Sequence, residues 1–314
     1  MKVLLITGGA SSERRISLMS AKQVKLALKE VGYNVAVFDL KKGYDQLKIL
    51  AKSFDVIFPV IHGEEGEGGN LQKFLSTLKK PFVGGNPKGF KQGWYKIPFK
   101  KFCEENKIPT ALWRKVQTEK DILEFGFPCV LKSSAGGSSR EVAILKSARD
   151  LNSYLCRKLL KSKLALFIEK YLPGIEVTVG ILKNEQSSIR RYKALPVVEI
   201  VPPEGGWFDY QNKYWGKTKE IPHAPSITAE LRDQVQKIAA RIHNSLNLGP
   251  YSRIDFIVSE GKPFVLEVNT IPGLTSSSLF PKAAQAMGIS FPKLMDSLIQ
   301  MALKPLAYES LKKV

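Results

Sequence analysis

The chain reads as α/β at its start and α+β thereafter, and three observations predict this. Short apolar runs at 3–7, 34–40 and 54–61 alternate with a helical pattern, the β-α-β order of a parallel sheet. Glycine-rich turns follow the first and third runs: G-G-A-S-S-E-R (8–14) and H-G-E-E-G-E-G-G-N-L-Q (62–72). Such turns stand where open sheets take ligands. Far downstream, 253–269 shows two alternating strands around a tight turn, the pattern of an antiparallel hairpin.

Taken in order, the helix after the first turn carries Leu18, Ala21, Val24, Leu28 and Val31 at helical spacing, and Gly32 stops it. The second turn opens a helix running through Phe74, Leu75 and Leu78, and a further helical segment spans 93–106. The strand F-P-C-V-L-K (127–132) ends in Lys132, before S-S-A-G-G-S-S-R-E-V. A lysine before a small flexible loop suits a phosphate, which takes both its charge and exposed backbone N–H groups. The G-x-x-x-x-G-K-[ST] spacing of a P-loop is absent. The strand at 164–172 carries Glu169, Lys170, Tyr171 and Leu172, and with Glu176 it forms an edge suited to a purine and a ribose. Residues 195–225 are irregular and rich in aromatics and proline, the composition of a functional loop. Leu231, Val235, Ile238, Ile242 and Leu246 form a core stripe on the next helix, and a last helical stretch covers 282–303.

At 314 residues the chain is long enough for two or three domains. Hydrophobic residues make up 44% and charged residues 25%, ordinary for a globular protein. No apolar run approaches the ~20 residues of a membrane span, and the N-terminal apolar segment is too short for a signal peptide. Cys103, Cys129 and Cys156 are odd in number without C-x-x-C spacing, which fits a reduced, cytoplasmic compartment. His62, His223 and His243 are too scattered for a zinc site. The net charge of +19 favours anionic ligands. Its lysines and arginines are spread among apolar periodic segments without a recognised module, so a basic surface is expected rather than nucleic-acid binding.

The hairpin carries the chemistry. Ile254, Phe256 and Val258 share one face with Phe264, Leu266 and Val268 if the loop holds an odd number of residues. A three-residue loop, Ser259-Glu260-Gly261 with the glycine left-handed, satisfies this. Arg253, Asp255, Glu267 and Asn269 then share the other face. The oxygens of Asp255, Glu267 and Asn269 are hard ligands suited to Mg²⁺, which completes its shell with water and substrate phosphates. Arg253 beside them would stabilise charge on a reacting oxygen. The plainer alternative is a solvated polar strand face with an Arg–Asp ion pair.

Seven blocks in order give the chain a family likeness: S-S-E-R-R-I-S-L-M-S, H-G-E-E-G-E-G-G-N-L-Q, I-E-K-Y-L-P-G-I-E-V-T-V-G, A-L-P-V-V-E-I, F-D-Y-Q-N-K-Y, Y-S-R-I-D-F and E-V-N-T-I-P-G-L-T-S-S-S-L-F-P-K-A-A. The chain resembles the D-alanine–D-alanine ligases of the ATP-grasp superfamily nearly end to end. The resemblance implies an ATP-grasp fold with an N-terminal Rossmann-like parallel-sheet domain (1–93), a central subdomain (94–178) and a C-terminal domain bearing the metal hairpin (179–314). It implies ADP-forming ligation of two D-alanines through an acyl phosphate, for peptidoglycan precursors, with two Mg²⁺ ions (Mn²⁺ as substitute) and a homodimer.

Carried over by position, Glu13 would anchor the first ammonium, linked to Ser138 and Tyr214, with His62 beside it. Arg253 and the Gly273 backbone would form the oxyanion site, and Ser278 and Leu279 would hold the second D-alanine. Asp255, Glu267 and Asn269 would hold metal. Lys96, Lys132 and Lys213 would face ATP phosphates, and Glu169, Lys170, Leu172 and Glu176 would bind the adenosine. Taken singly, Glu13 and Ser138 also fit helix caps, His62 a satisfied loop histidine and Tyr214 a packing aromatic. The pair Lys213-Tyr214 goes with D-alanine as the second substrate.

The chain departs from the family pattern in three places. Its phosphate loop reads K-S-S-A-G-G-S-S-R-E, with Arg140-Glu141 where small residues are usual. Trp94-Tyr95-Lys96 replaces M-D-K, and Glu67-Gly68-Gly69 replaces E-D-G. Two other readings stay open: an ATP-grasp ligase with a different amino acid or hydroxy acid acceptor, and a basic binding protein on a degenerate ligase scaffold.

Overall fold

The computed structural model describes residues 1–137, 141–183, 192–203 and 218–304. The first part runs β1 (Lys2–Thr7), α1 (Arg14–Glu30), β2 (Asn34–Asp39), α2 (Tyr44–Ala51), β3 (Val56–Pro59), α3 (Glu64–Glu67) and α4 (Asn70–Thr77). The three strands form the expected parallel sheet, in the order β2-β1-β3. Its strands are apolar on both sides because both faces are covered. Leu4, Ile6 and Ile57 pack with Leu47, Leu71 and Leu75 on one face, and Val3, Leu5 and Phe58 pack with α1 on the other.

The stripe expected on α1 is rotated. Leu18 and Val31 are 41% and 40% exposed, while Ser17, Ser20, Ala21, Val24, Ala27 and Leu28 face inward. The two serines tolerate burial because His62 partners them: its backbone N–H donates to Ser17 Oγ at 2.9 Å, and its Nε2 lies 3.3 Å from Ser20 Oγ.

The single helix expected at 93–106 is two, α5 (Pro87–Trp94) and α6 (Lys96–Glu105). Asn86 accepts from Lys88 N and Pro87 sits at the first helical position, a start signal the apolar pattern hides. Tyr95 between the helices is extended, and its hydroxyl donates to Glu64 Oε1 at 2.6 Å. Next come β4 (Trp113–Val116), α7 (Glu119–Phe125), β5 (Cys129–Ser133), β6 (Val142–Leu145), α8 (Tyr154–Leu160) and β7 (Leu166–Lys170). They make an antiparallel sheet, β4-β7-β5-β6, with a core that includes Ile122, Leu131, Leu159 and Ile168.

The rest holds β8 (Ile175–Lys183), β9 (Tyr192–Ala194), β10 (Val198–Val201), β11 (Lys219–Pro222), α9 (Ala229–Leu246), β12 (Tyr251–Ser259), β13 (Lys262–Asn269), α10 (Leu279–Gln285) and α11 (Phe291–Leu303). Among the described residues the stretch 195–225 therefore contributes two paired strands, β10 and β11, where irregular chain was expected. The last helical stretch is broken between α10 and α11, where Gly288 takes φ +78° and extended Ser290 precedes a helix with proline in its first turn.

The large sheet runs β11-β10-β8-β12-β13, with β9 on β8. One face carries Val177, Val179, Ile254, Phe256, Val265 and Val268 against Phe90, Phe99, Val235 and Ile242 of α5, α6 and α9. The expected divisions at 93/94 and 178/179 fall inside α5 and β8.

The hairpin shares out its faces as expected, but in a different register. Ser259 pairs with Lys262, so the loop is two residues, Glu260 (φ +50°) and Gly261 (φ +69°), both left-handed as the tightest hairpin turn requires. A bulge then inserts Leu266 between the Phe256–Val265 and Asp255–Glu267 pairs. Beyond it Arg253 pairs with Asn269 and Ile254 with Val268, two residues further along β13 than a three-residue loop would set them, and the expected grouping of faces is kept. On the turn side of the bulge, Val265 replaces Phe264 and Leu266 in the core.

Candidate active site

Arg253 and Asp255 project from the polar face of β12, one pleat apart, and are 9% and 4% exposed. The guanidinium grips the carboxylate with both arms, Nε to Oδ1 at 2.9 Å and Nη2 to Oδ2 at 2.8 Å. Thr178 Oγ1 donates to Asp255 Oδ1 at 2.5 Å and Asn269 Nδ2 to Oδ2 at 2.9 Å. The ion pair of the plainer reading is therefore real but buried, and it lines a cavity instead of a solvated face. Across the hairpin, Lys96 Nζ lies 3.2 Å from Glu267 Oε2 and donates to the Gly136 carbonyl at 2.8 Å.

The described residues hold no cluster of three or more His, Cys, Asp or Glu side chains arranged for a metal. Asp255, Glu267 and Asn269 instead offer two carboxylates and a carboxamide across one strand pair. That donor set fits Mg²⁺ and is too small to enclose it, as suits an ion shared with phosphate.

Two cavities flank this face. The larger, about 400 Å³, lies between the two antiparallel sheets and is lined by Lys132, Glu169, Lys170, Leu172 and Glu176. Leu266, turned out of the core by the bulge, and Ile257 line it too. The smaller, about 280 Å³, is lined by Glu13, His62, Arg253, Asn269, Gly273, Ser278 and Leu279. Lys96, Gly136, Gly137 and Glu267 line both. Ser138, Lys213 and Tyr214 lie outside the described residues, as does Arg140, whereas Glu141 lines the larger cavity.

Within the larger cavity, Glu169 is already held through both carboxylate oxygens: Oε1 is 2.5 Å from Lys132 Nζ and Oε2 is 2.5 Å from Lys100 Nζ. Burial alone would raise its pKa, but the two lysines hold it well below the usual carboxylate range. Burial likewise opposes the Lys132 charge, and Glu169 outweighs it. Lys100 is 1% exposed and also donates to Thr110 Oγ1 at 2.5 Å. In the sequence this lysine counts only toward the expected basic surface. The missed signal was its position on the apolar face of α6, with Ile97, Phe99 and Cys103.

In the smaller cavity Glu13 stands at the N-cap position of α1 but makes no side-chain cap bond. Its carboxylate turns to the phosphate loop, where a side chain on Gly137 would come within 3.1 Å of Glu13 Oε2. Gly273 is needed for a similar approach, since a Cβ there would sit 2.8 Å from Ser278 Oγ. Ser278 Oγ lies 2.7 Å from Thr275 Oγ1. Burial lowers the His62 pKa, opposed by Glu13 and reinforced by Arg253, so the imidazole is a neutral, satisfied residue on the cavity wall.

Glu67 is a further wall residue, seen in the sequence only as part of an altered turn. Its Oε1 accepts from Gly63 N at 3.2 Å, and its Oε2 accepts from Thr270 Oγ1 and Ile271 N at 3.4 Å each. Burial first, and Glu13 second, push its pKa up to about 8.

Comparison with known proteins accords with this geometry. The family model described as D-ala D-ala ligase C-terminus matches residues 93–300. A D-alanine–D-alanine ligase of Maridesulfovibrio salexigens is 37% identical over 306 residues, covering 96% of this chain and 98% of the relative. That of Aquifex aeolicus is 38% identical over 304 residues, covering 95% and 100%. The crystal structure of the Bacillus anthracis D-alanine–D-alanine ligase complexed with ATP matches with a TM-score of 0.81 at 30% identity, over 96% of this chain and 97% of that one. The architecture is ATP-grasp behind an N-terminal parallel-sheet domain, and the chain belongs to the D-alanine–D-alanine ligase family.

Proposed function

We propose that the chain joins two D-alanines in an ATP-dependent, ADP-forming reaction, supplying the dipeptide terminus of a peptidoglycan precursor. One observation carries the reading: a cavity of nucleotide size and one of amino-acid size meet at Lys96, Gly136, Gly137 and Glu267. Adenosine would lie against Glu169, Lys170, Leu172 and Glu176, with its phosphates toward Lys96, Lys132 and Lys213. A carboxylate oxygen of the first D-alanine attacks the γ-phosphorus, and the bond to ADP breaks. The amine of the second then attacks the acyl carbon; the C–N bond forms, phosphate leaves with the C–O bonding pair, and the amine loses its proton.

Glu13 would hold the first ammonium, together with Ser138 and Tyr214 and with His62 nearby. Arg253 and the Gly273 backbone N–H would stabilise the oxyanion of the tetrahedral intermediate. Ser278 and Leu279 would hold the acceptor. Asp255, Glu267 and Asn269 would hold two Mg²⁺ ions, or Mn²⁺ in their place, which when bound neutralise charge on the transferring phosphoryl group. The protein's own part is positioning.

The same reading takes the N-terminal sheet, the central sheet and the large sheet as three functional parts. It places the protein in the cytoplasm, where three buried free cysteines would stay reduced, and takes it as a homodimer from the family likeness alone. The test is phosphate release from ATP with D-alanine, set against other D- and L-amino acids and D-lactate. Release that depends on D-alanine supports the proposal, and release with a different acceptor alone overturns it.

A further inference from the structure

One ion pair on the wall of the amino-acid cavity has no part in the roles above. Glu220 of β11 lines that cavity together with Ser278 and Leu279. Its Oε2 lies 2.5 Å from Lys282 Nζ on α10. Lys282 follows Ser278 by one helical turn, and its backbone N–H donates to the Ser278 carbonyl at 3.0 Å. The Glu220 side chain is 13% exposed and that of Lys282 is 37% exposed, and Lys282 itself is not part of the cavity lining. The carboxylate therefore belongs to the cavity, and the lysine reaches it from the solvent side. β11 is an edge strand, paired in the sheet only with β10 among the described residues.

An amino acid acceptor arrives as a zwitterion, and the ligase reading, on which this inference rests, puts its carboxylate at Ser278. A bare carboxylate on the same wall would repel it and would attract any additional cationic group. We propose that Lys282 is a positioning residue that sets acceptor specificity: by neutralising Glu220 it makes the wall accept small amino acids without a charged side chain. Without Lys282, the wall selects acceptors that carry a second ammonium group.

The experiment is steady-state kinetics at saturating ATP, with separate KM values for donor and acceptor D-alanine, on Lys282→Met, Lys282→Arg, Glu220→Gln and the double variant Lys282→Met/Glu220→Gln. Lys282→Met should raise acceptor KM about three- to tenfold, a modest figure because the lysine is screened by solvent. KM for ATP should stay unchanged, and D-lysine should gain as acceptor relative to D-alanine. Lys282→Arg should behave as wild type. The double variant, which removes both charges, should return acceptor KM to near the wild-type value.

A double variant as impaired as Lys282→Met would show that the lysine acts as a mechanical brace and would overturn the proposal. So would an unmoved acceptor KM in Lys282→Met. Either result leaves D-alanine-dependent turnover of the wild type intact, and with it the ligase reading. Absence of that turnover would instead overturn both.

Discussion

Arg253 spends two of its hydrogen bonds on Asp255 while its side chain lines the amino-acid cavity, so its guanidinium is held in place before any substrate arrives. Preorganised charge of this kind acts on the transition state, because no reorientation is needed as charge develops. Arg253→Ala should therefore lower turnover by about 10²–10³-fold, the scale of one lost oxyanion donor. KM for ATP should move little, since the larger cavity does not include Arg253. A turnover within twofold of wild type would contradict the role. Glu67 leads to a different kind of expectation. Its pKa rises from 4.5 to about 8 on folding, chiefly by burial. Between those values the unfolded chain has released the proton and the native state keeps it, so stability falls as pH rises across that window. Below pH 4.5 both states are protonated and the group contributes no slope. Glu67→Gln removes the titration. Wild type should lose stability relative to Glu67→Gln from about pH 5 to pH 8, at no more than about 1.4 kcal/mol per pH unit. Urea midpoints of the two proteins measured across that range test it, and parallel profiles would rule out a buried protonated carboxyl.

The β12–β13 hairpin shows what a sequence discloses and what it withholds. Its period-2 alternation was enough to put Arg253, Asp255, Glu267 and Asn269 on one face, because a strand has only two faces and the apolar set claims one. The bulge at Leu266 was not legible: an extra residue leaves no mark in composition and exists only relative to the partner strand. Likewise the breaks at Tyr95 and Gly288 were hidden because apolar periodicity continues through both. Lys100 and Glu67 were passed over for another reason. Charged residues are read as surface unless a partner is known, and here Glu169 for Lys100, and the Thr270 hydroxyl and Ile271 N–H for Glu67, are distant in sequence. Since the bulge lies between the turn and the site, the turn can be damaged without moving the site. Gly261→Ala puts a side chain on a residue at φ +69°, a cost of about 1 kcal/mol. Its melting temperature should drop by a few degrees at most, with turnover unchanged. A loss of turnover comparable to that of Arg253→Ala would mean that the turn, not the bulge, fixes the register.

At the scale of the whole molecule, the cores do not follow the order of the chain. The N-terminal sheet buries Val3 and Leu5, and α1 buries Ala21, Val24 and Leu28, in one cluster with Leu294, Met295, Leu298 and Ile299 of α11. The join is pinned at its rim, where Tyr33 donates to Asp296 Oδ1 at 2.6 Å and Gln300 donates to the Tyr33 hydroxyl at 2.9 Å. One face of the first domain is thus completed by a helix more than 200 residues away, and the amino-acid cavity sits along this seam, with Glu13 and His62 from one side and Ser278 and Leu279 from the other. A chain ending before α11 would expose the apolar side of α1, since each fully buried aliphatic side chain contributes about 1.5–3 kcal/mol. Several such losses are comparable to the 5–15 kcal/mol that stabilise an ordinary domain. A fragment of residues 1–86, which carries the complete parallel sheet, should therefore lack a cooperative thermal transition. Adding the separate peptide of residues 289–304 at high concentration should restore part of the helical signal and the transition. A fragment that melts cooperatively alone would show that the first domain is self-sufficient, and the geometry of the amino-acid cavity would then depend on docking between two finished units instead of on a shared core.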